Sequence, residues 1–308
     1  MWYNKVTVKP SVWRTKKVMK KIIICFLVAA SFIFISCKET KQFNHEKEII
    51  YEVLSTQYTG FEDMKQKGFS ERKFKAIHNY DDLTECFDKY INDWHFSLLI
   101  GNDFQYYQKP DSDTTNKSTD PDNTFEVIEN PNTLYVRCNN CTDSNPDYWK
   151  IGDSEFAYKA LSYDYLVFDF RSNSGGTDSP FIPFINVLSS CKYEGKIIIT
   201  QDRWCFSGGE LYGILYNMYH ILGKQFNPNQ FIVVGTNSGG MQLYGNCKLI
   251  EKENIKFWLP TKKFEPVLQN EKYEGEGKGY KPDIYATKEN IKETIEKLGA
   301  DLSGIDIK

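Results

Sequence analysis

Three short apolar runs constrain this chain more than any other feature: Tyr165–Phe170 (YLVFDF), Lys196–Thr200 (KIIIT) and Phe231–Val234 (FIVV). A strand that is apolar on both faces needs cover on both sides, and a parallel sheet flanked by helices provides it. The intervening stretches fit that demand, because Phe181–Leu188 and Leu211–Leu222 both read as helices. The alternation predicts an α/β core of βαβ units. Thr133–Cys138 adds a strand, Lys248–Leu259 adds strand-like material, and Asn290–Leu298 predicts a short C-terminal helix. Upstream the period changes. Ile50, Val53, Leu54 and Tyr58, then Phe74 and Ile77, then Leu83, Phe87, Tyr90, Ile91 and Trp94 recur at helical spacing. A small helical subdomain is expected over 49–95, with a strand starting near Leu98 and the α/β core over 96–308. Asp111–Asn123 is almost without apolar residues and reads as an exposed loop. There are no internal repeats.

The first residues read as a targeting segment. Lys16, Lys17, Lys20 and Lys21 precede an unbroken apolar run from Ile22 to Ile35, followed by Ser36-Cys37. A basic start, an apolar stretch too short for an ordinary span and a small residue before a cut make a secretory signal over 1–36. With cysteine at the cut it resembles a bacterial lipoprotein signal, which would make Cys37 the lipid-bearing first residue of a tether over 37–48. Met19 is the more natural start, leaving 1–18 as an upstream segment. The globular part is then exported and membrane-anchored, on a periplasmic or cell-surface face. Removing 1–36 takes seven basic residues and no acidic one, leaving 31 basic against 41 acidic, a net charge of −10. An acidic exported domain is a poor nucleic-acid binder, since attraction to phosphate dominates such binding. Cys138-Asn-Asn-Cys141 has the spacing of half a zinc site or a redox pair, but no second pair or His cluster completes it. A local disulfide or free thiols are expected there, and no metal or other cofactor.

Ser207 stands where the Ile197–Ile199 strand gives way to a helix, with Gly208-Gly209-Glu210 behind it. Such a turn pushes a hydroxyl out of the backbone and sets helix-start N–H groups beside it. Ser and Glu at a helix start are also ordinary capping chemistry, so this stretch alone supports either reading. Four further segments surround it in order: Asp93-Trp94-His95; Asp169-Phe170-Arg171-Ser172-Asn173-Ser174-Gly175-Gly176; Gly235-Thr236-Asn237-Ser238-Gly239-Gly240-Met241; and Gly279-Tyr280-Lys281-Pro282-Asp283. A phosphate loop does not fit the second of these, which lacks a Gly-Lys-Ser/Thr ending.

Together the five segments resemble the C-terminal processing (tail-specific) serine peptidases, in particular the branch like the tricorn protease core. The resemblance covers roughly residues 80–290 and implies a ClpP/crotonase-like core. One branch of that family uses a Ser–Lys dyad, but its lysine position matches Met241 here, which cannot accept a proton. The other uses Ser, His and Glu. Its histidine matches His95, and its glutamate, four residues before Tyr280, matches Glu276. The resemblance thus implies Ser207 as nucleophile, His95 as base and Glu276 as the carboxylate that orients it. The oxyanion hole would be formed by Gly208 with Gly175 and Gly176. Asp169, Arg171 and Glu210 read as structural supports. Among the other histidines, His45 falls in the tether, His78 in the helical subdomain and His220 more than three turns down the helix behind Ser207. Many family members carry a PDZ module between helical subdomain and core. The stretch between His95 and Leu166 is too short and polar for one.

The function expected is a serine endopeptidase cleaving peptides or unfolded proteins, with Trp204 and Phe206 either lining a hydrophobic subsite or belonging to the core. The alternative from another class is a catalytically silent surface lipoprotein that docks peptide or glycan on the same fold. An esterase would use the same constellation.

Overall fold

A computed structural model of the chain describes residues 41–102, 104–108 and 124–307. The signal segment, Cys37 and the 111–123 loop lie outside the described residues. The polypeptide opens with helix α1 (41–57 as described), followed by α2 (Phe61–Gln66), α3 (Glu71–Lys75) and α4 (Tyr80–Tyr90). Ser70 and Asn79 cap α3 and α4 through side-chain oxygens that accept the N–H groups of Lys73 and Asp82. Residues 41–48, expected to belong to the tether, are helical, and Phe43, Glu46 and Lys47 are buried. Their burial is polar as well as apolar. Lys47 Nζ donates to the carbonyls of Ile77 (2.6 Å) and Lys75 (3.0 Å), and Tyr80 Oη donates to Glu46 (2.6 Å).

Two sheets follow. The smaller is antiparallel, in the order β2 (Phe104–Tyr107), β1 (Ser97–Ile100), β9 (Ile255–Lys263), β8 (Tyr244–Lys252). Its inner face does not stand apart from the helices. Leu98, Ile100, Ile250, Phe257 and Leu259 share one core with Ile50, Leu54, Phe74 and Phe87 of α1, α3 and α4. The helical segment read from sequence thus finds the rest of its core on β1, which follows it directly, and on β8 and β9 far downstream.

The larger sheet has six strands in the order β10 (Ile284–Tyr285), β7 (Phe231–Gly235), β6 (Lys196–Gln201), β5 (Tyr165–Asp169), β4 (Thr133–Cys138), β3 (Phe125–Asn130). All its pairings are parallel except β3 with β4. Helices α5 (Ser154–Ala160), α6 (Phe181–Ser190) and α7 (Leu211–Ile221) connect β4 to β5, β5 to β6 and β6 to β7. This is the expected α/β core of successive βαβ units. The two-sided apolar runs have the expected cause. Leu166, Phe168, Ile197, Ile199 and Val233 pack towards the crossover helices. Their alternates Val167, Ile198 and Val234 pack towards α8 (Ile291–Lys297) and the C-terminal segment. Consecutive parallel strands end at one edge, so the loops after β5, β6 and β7 emerge side by side.

Phe168 sits at the centre of the larger core, 1% exposed and within ring contact of Phe170, Phe181 and Phe184. Phe168→Ala is expected to lower unfolding free energy by about 3–5 kcal/mol, measured by urea denaturation. A loss below about 1 kcal/mol would mean that the cavity collapses or that this packing contributes little.

Candidate active site

The loop after β6 carries Ser207, which begins a 3-10 turn (Ser207–Gly209) before α7. Its φ is +50°, a left-handed conformation rare for residues with a side chain. The turn is held in that state by a buried carboxylate. Glu210 is fully buried and accepts four hydrogen bonds: from Ser238 Oγ (2.6 Å) and Gly240 N (2.9 Å) on Oε1, and from Met241 N (2.6 Å) and Ser207 N (3.2 Å) on Oε2. Burial pushes its pKa up to about 7, although all four donors favour the charged form. Gln242 Nε2 adds a bond to the Ser207 carbonyl at 2.5 Å. Met241, at the position where a dyad lysine would stand, therefore contributes its main chain to this lock.

The loop after β5 lies against that turn. Asp169 is buried at the end of β5 and accepts from Arg171 Nε (2.9 Å) and Nη2 (2.8 Å), Tyr135 Oη (2.9 Å) and Thr200 Oγ1 (2.5 Å). It also pairs with Arg137 at 2.9 Å. Burial alone would raise its pKa; the two guanidiniums overcome that and hold it well below the usual carboxylate range. This knot ties together β4, β5 and β6 where their loops begin. Asn173, fully buried, then sets the glycine turn: its Oδ1 accepts Gly175 N (2.9 Å), its carbonyl accepts Phe206 N (3.0 Å) and its amide donates to Cys138 O (3.0 Å).

The two turns touch through backbone. A Cβ on Gly208 would lie 2.9 Å from Gly176 N, and one on Gly175 would lie 3.3 Å from Gly208 N and 3.1 Å from Ser207 Cβ. Gly175 uses its own N–H on Asn173 and so presents no free donor. The N–H groups of Gly176 and Gly208 donate no hydrogen bond among the described residues. Two unspent amides thus belong to the turns that meet at Ser207.

His95 arrives from the other core, in the loop between α4 and β1. Its Nε2 lies 3.0 Å from Ser207 Oγ. Burial lowers its pKa to about 4, so the imidazole is neutral near pH 7 and Nε2 can accept the hydroxyl proton. Nδ1 is buried and has no hydrogen-bond partner among the described residues. Glu276 is buried near this loop: a Cβ on the next residue, Gly277, would lie 2.7 Å from the Trp94 ring. Its Oε1 accepts Leu243 N (2.6 Å), Tyr273 Oη (2.8 Å) and Gln242 N (3.0 Å), whereas Oε2 has no partner. It makes no hydrogen bond to His95 among the described residues. Burial, and after it the nearby Asp93 charge, push its pKa up to about 8. The other histidines stand apart: His45 bonds Glu253, and His78 and His220 are exposed, the latter in the last turn of α7.

Around the pair, Phe206 stacks on Trp94 (ring centroids 6.2 Å apart) and meets Trp204 edge-on (6.4 Å). All three rings are half-buried and make an apolar cluster beside the Ser207–His95 pair. Sequence reading singled out Trp204 and Phe206 and missed Trp94, whose only signal is its place beside His95. Cys138 and Cys141 are free, buried thiols. Cys141 N donates to Gly175 O (3.0 Å) and Cys141 O accepts Thr177 N (2.7 Å), pinning the glycine turn from behind.

No protein-family model and no curated protein matches the chain. Similar solved structures include a lipoprotein from Streptococcus agalactiae, 13% identical with a TM-score of 0.42, covering 83% of this chain and 95% of that one. The photosystem II D1 C-terminal processing protease is 12% identical (TM-score 0.35), covering 50% of this chain and 42% of its own. The tricorn protease is 14% identical (TM-score 0.33), covering 55% and 18%.

Glu210 gives the sharpest test of how the Ser207 turn is held. Both its oxygens accept main-chain N–H groups, so either orientation of a glutamine amide would set an NH2 against a donor. Glu210→Gln is expected to cost about 2–4 kcal/mol of stability and to slow any reaction at Ser207. Thermal unfolding measured together with labelling by a serine-directed probe checks it, and a variant of wild-type stability would show that the lock lies elsewhere.

Proposed function

We propose that the chain is a serine-type acyl hydrolase acting on peptides or unfolded proteins. The observation that carries the reading is the 3.0 Å approach of His95 Nε2 to Ser207 Oγ, made by a serine in a left-handed turn beside two unspent backbone amides. His95 takes the hydroxyl proton as Ser207 attacks the acyl carbon, then returns it to the leaving amine. The N–H groups of Gly208 and Gly176 meet the oxyanion, with Gly175 shaping the turn. One such donor typically contributes about 3 kcal/mol to the transition state. Glu276, read from sequence as the carboxylate orienting His95, instead holds the 242–243 main chain beside the site. An apolar side chain of the substrate rests against Phe206 and Trp204. Peptides are favoured as substrates because the resemblance of the five ordered segments is to peptidases. Export and anchoring through a lipid on Cys37 are part of the same proposal, supported by the basic-then-apolar run that ends in Ser36-Cys37.

A fluorophosphonate probe is expected to label the wild type at Ser207, with no labelling of Ser207→Ala and at least about 100-fold slower labelling of His95→Ala. Casein or a peptide library should be cut by the wild type alone. Labelling without cleavage, together with turnover of simple esters, would make it an esterase. The absence of any labelling would favour a silent docking surface. For the anchor, palmitate incorporation should be lost in Cys37→Ala; incorporation that persists in that variant would reject Cys37 as the lipid site.

A further inference from the structure

Deprotonation of Ser207 by His95 Nε2 requires the ring's other proton to sit on Nδ1, where it needs an acceptor. Three buried polar atoms in this region have no hydrogen-bond partner among the described residues: His95 Nδ1, Asp93 Oδ2 and Glu276 Oε2. The two carboxylates are not equivalent. Asp93 Oδ1 stands 3.9 Å from Nδ1, while Glu276 forms no ion pair with His95 among the described residues. Asp93 Oδ1 also accepts the main-chain N–H of His95 at 2.9 Å, which ties the carboxylate to the backbone that carries the ring. Glu276 spends its Oε1 on the Gln242 and Leu243 amides and Tyr273, bonds that fix the chain entering β8.

We infer that Asp93 is the positioning residue for His95: it accepts the Nδ1 proton and stabilises the imidazolium, while Glu276 holds the 242–243 backbone and acts from further away. This rests on the Ser207–His95 reading above. The 3.9 Å separation shortens by a small rotation of either side chain as charge develops on the ring, since catalytic hydrogen bonds commonly tighten only when substrate is bound. Asp93 is fully buried, and its carboxylate is steadied by the Tyr58 hydroxyl and the main-chain N–H of His95, so the rotation that brings the two groups together falls mainly to the imidazole. The titratable groups facing the pair are Tyr58 after α1, Tyr244 and Cys247 on β8, and Glu276. Burial also pushes the pKa of Asp93 up to about 7, so a positive ring beside it is what draws it into the charged form.

The test is the rate of fluorophosphonate labelling of Ser207 against pH, in the full chain and in Asp93→Asn, Asp93→Glu and Glu276→Gln. Asp93→Asn is expected to label about 10- to 100-fold more slowly at its plateau. Its acidic limb should move to lower pH, because an imidazolium without its carboxylate loses its proton more readily. A purely structural aspartate would lower the labelled fraction and leave the limb in place. Asp93→Glu should restore the limb towards its wild-type position. Glu276→Gln should leave it there, and this variant keeps the test open if Asp93→Asn does not fold. An unmoved limb in Asp93→Asn, or a limb moved by Glu276→Gln, overturns the assignment to Asp93. A wild type that is not labelled at Ser207 at all overturns the serine hydrolase reading itself, and this one with it.

Discussion

The site depends on one buried carboxylate that does no chemistry in it. Glu210 gathers Ser207 N, Ser238 Oγ, Gly240 N and Met241 N, and so joins the loop after β6 to the loop after β7. A left-handed serine costs on the order of 1–3 kcal/mol and persists only where surrounding bonds over-determine it. Four hydrogen bonds to one carboxylate meet that requirement. They also account for Ser207 being followed by two glycines. A Cβ on Gly209 would lie 2.2 Å from Asn173 O, and one on Gly208 would lie 2.6 Å from Gly176 O. Only backbone fits between the two loops.

What sequence revealed and what it hid follow from the same physics. The parallel strands were legible because both their faces are apolar, and β4 to β7 fall where the runs placed them. Edge strands carry no such signal. In β3 most residues are exposed or half-exposed, and β10 is only two residues long. The helical character of 41–48 was hidden because two of its buried residues, Glu46 and Lys47, are charged and held by hydrogen bonds rather than by hydropathy. In the site, Ser207, His95 and the glycine turns were readable as ordered segments. The spent N–H of Gly175, the partners of Glu276 and the approach of Asp93 to the ring were not, because each depends on where a side chain points in three dimensions.

The Ser207–His95 pair also bridges two hydrophobic cores. His95 belongs to a loop whose flanks, Ile91 and Phe96, are buried with the helices and the small sheet. Ser207 belongs to the loop after β6 of the larger sheet. The distance between them is therefore set where the two units meet, at the stack of Trp94 on Phe206 (ring centroids 6.2 Å apart) and the bond from Gln242 Nε2 to the Ser207 carbonyl (2.5 Å). For a catalytic pair a misplacement of about 1 Å is enough to cost a large factor in rate, so on the proposed function these contacts bear on it.

The Cys138–Cys141 spacing finds its explanation in the backbone. Cys141 is placed by a short turn after β4 so that its N–H and carbonyl clasp the two sides of Gly176 in a parallel bridge. Its carbonyl would lie 2.0 Å from any Cβ added at Gly176, so glycine is required there by the close approach of a neighbouring strand end. The buried thiols fill the space beneath: Asn173 Nδ2 lies 3.2 Å from Cys141 Sγ, on the side chain that also sets the Gly175 amide. Small, weakly polar sulfur tolerates both an apolar core and an amide neighbour. A larger residue at either position would press on Asn173 and, through it, on the glycine turn packed against Ser207. The unspent Gly176 donor is therefore defined by two layers of packing beneath it, Asn173 and the two thiols.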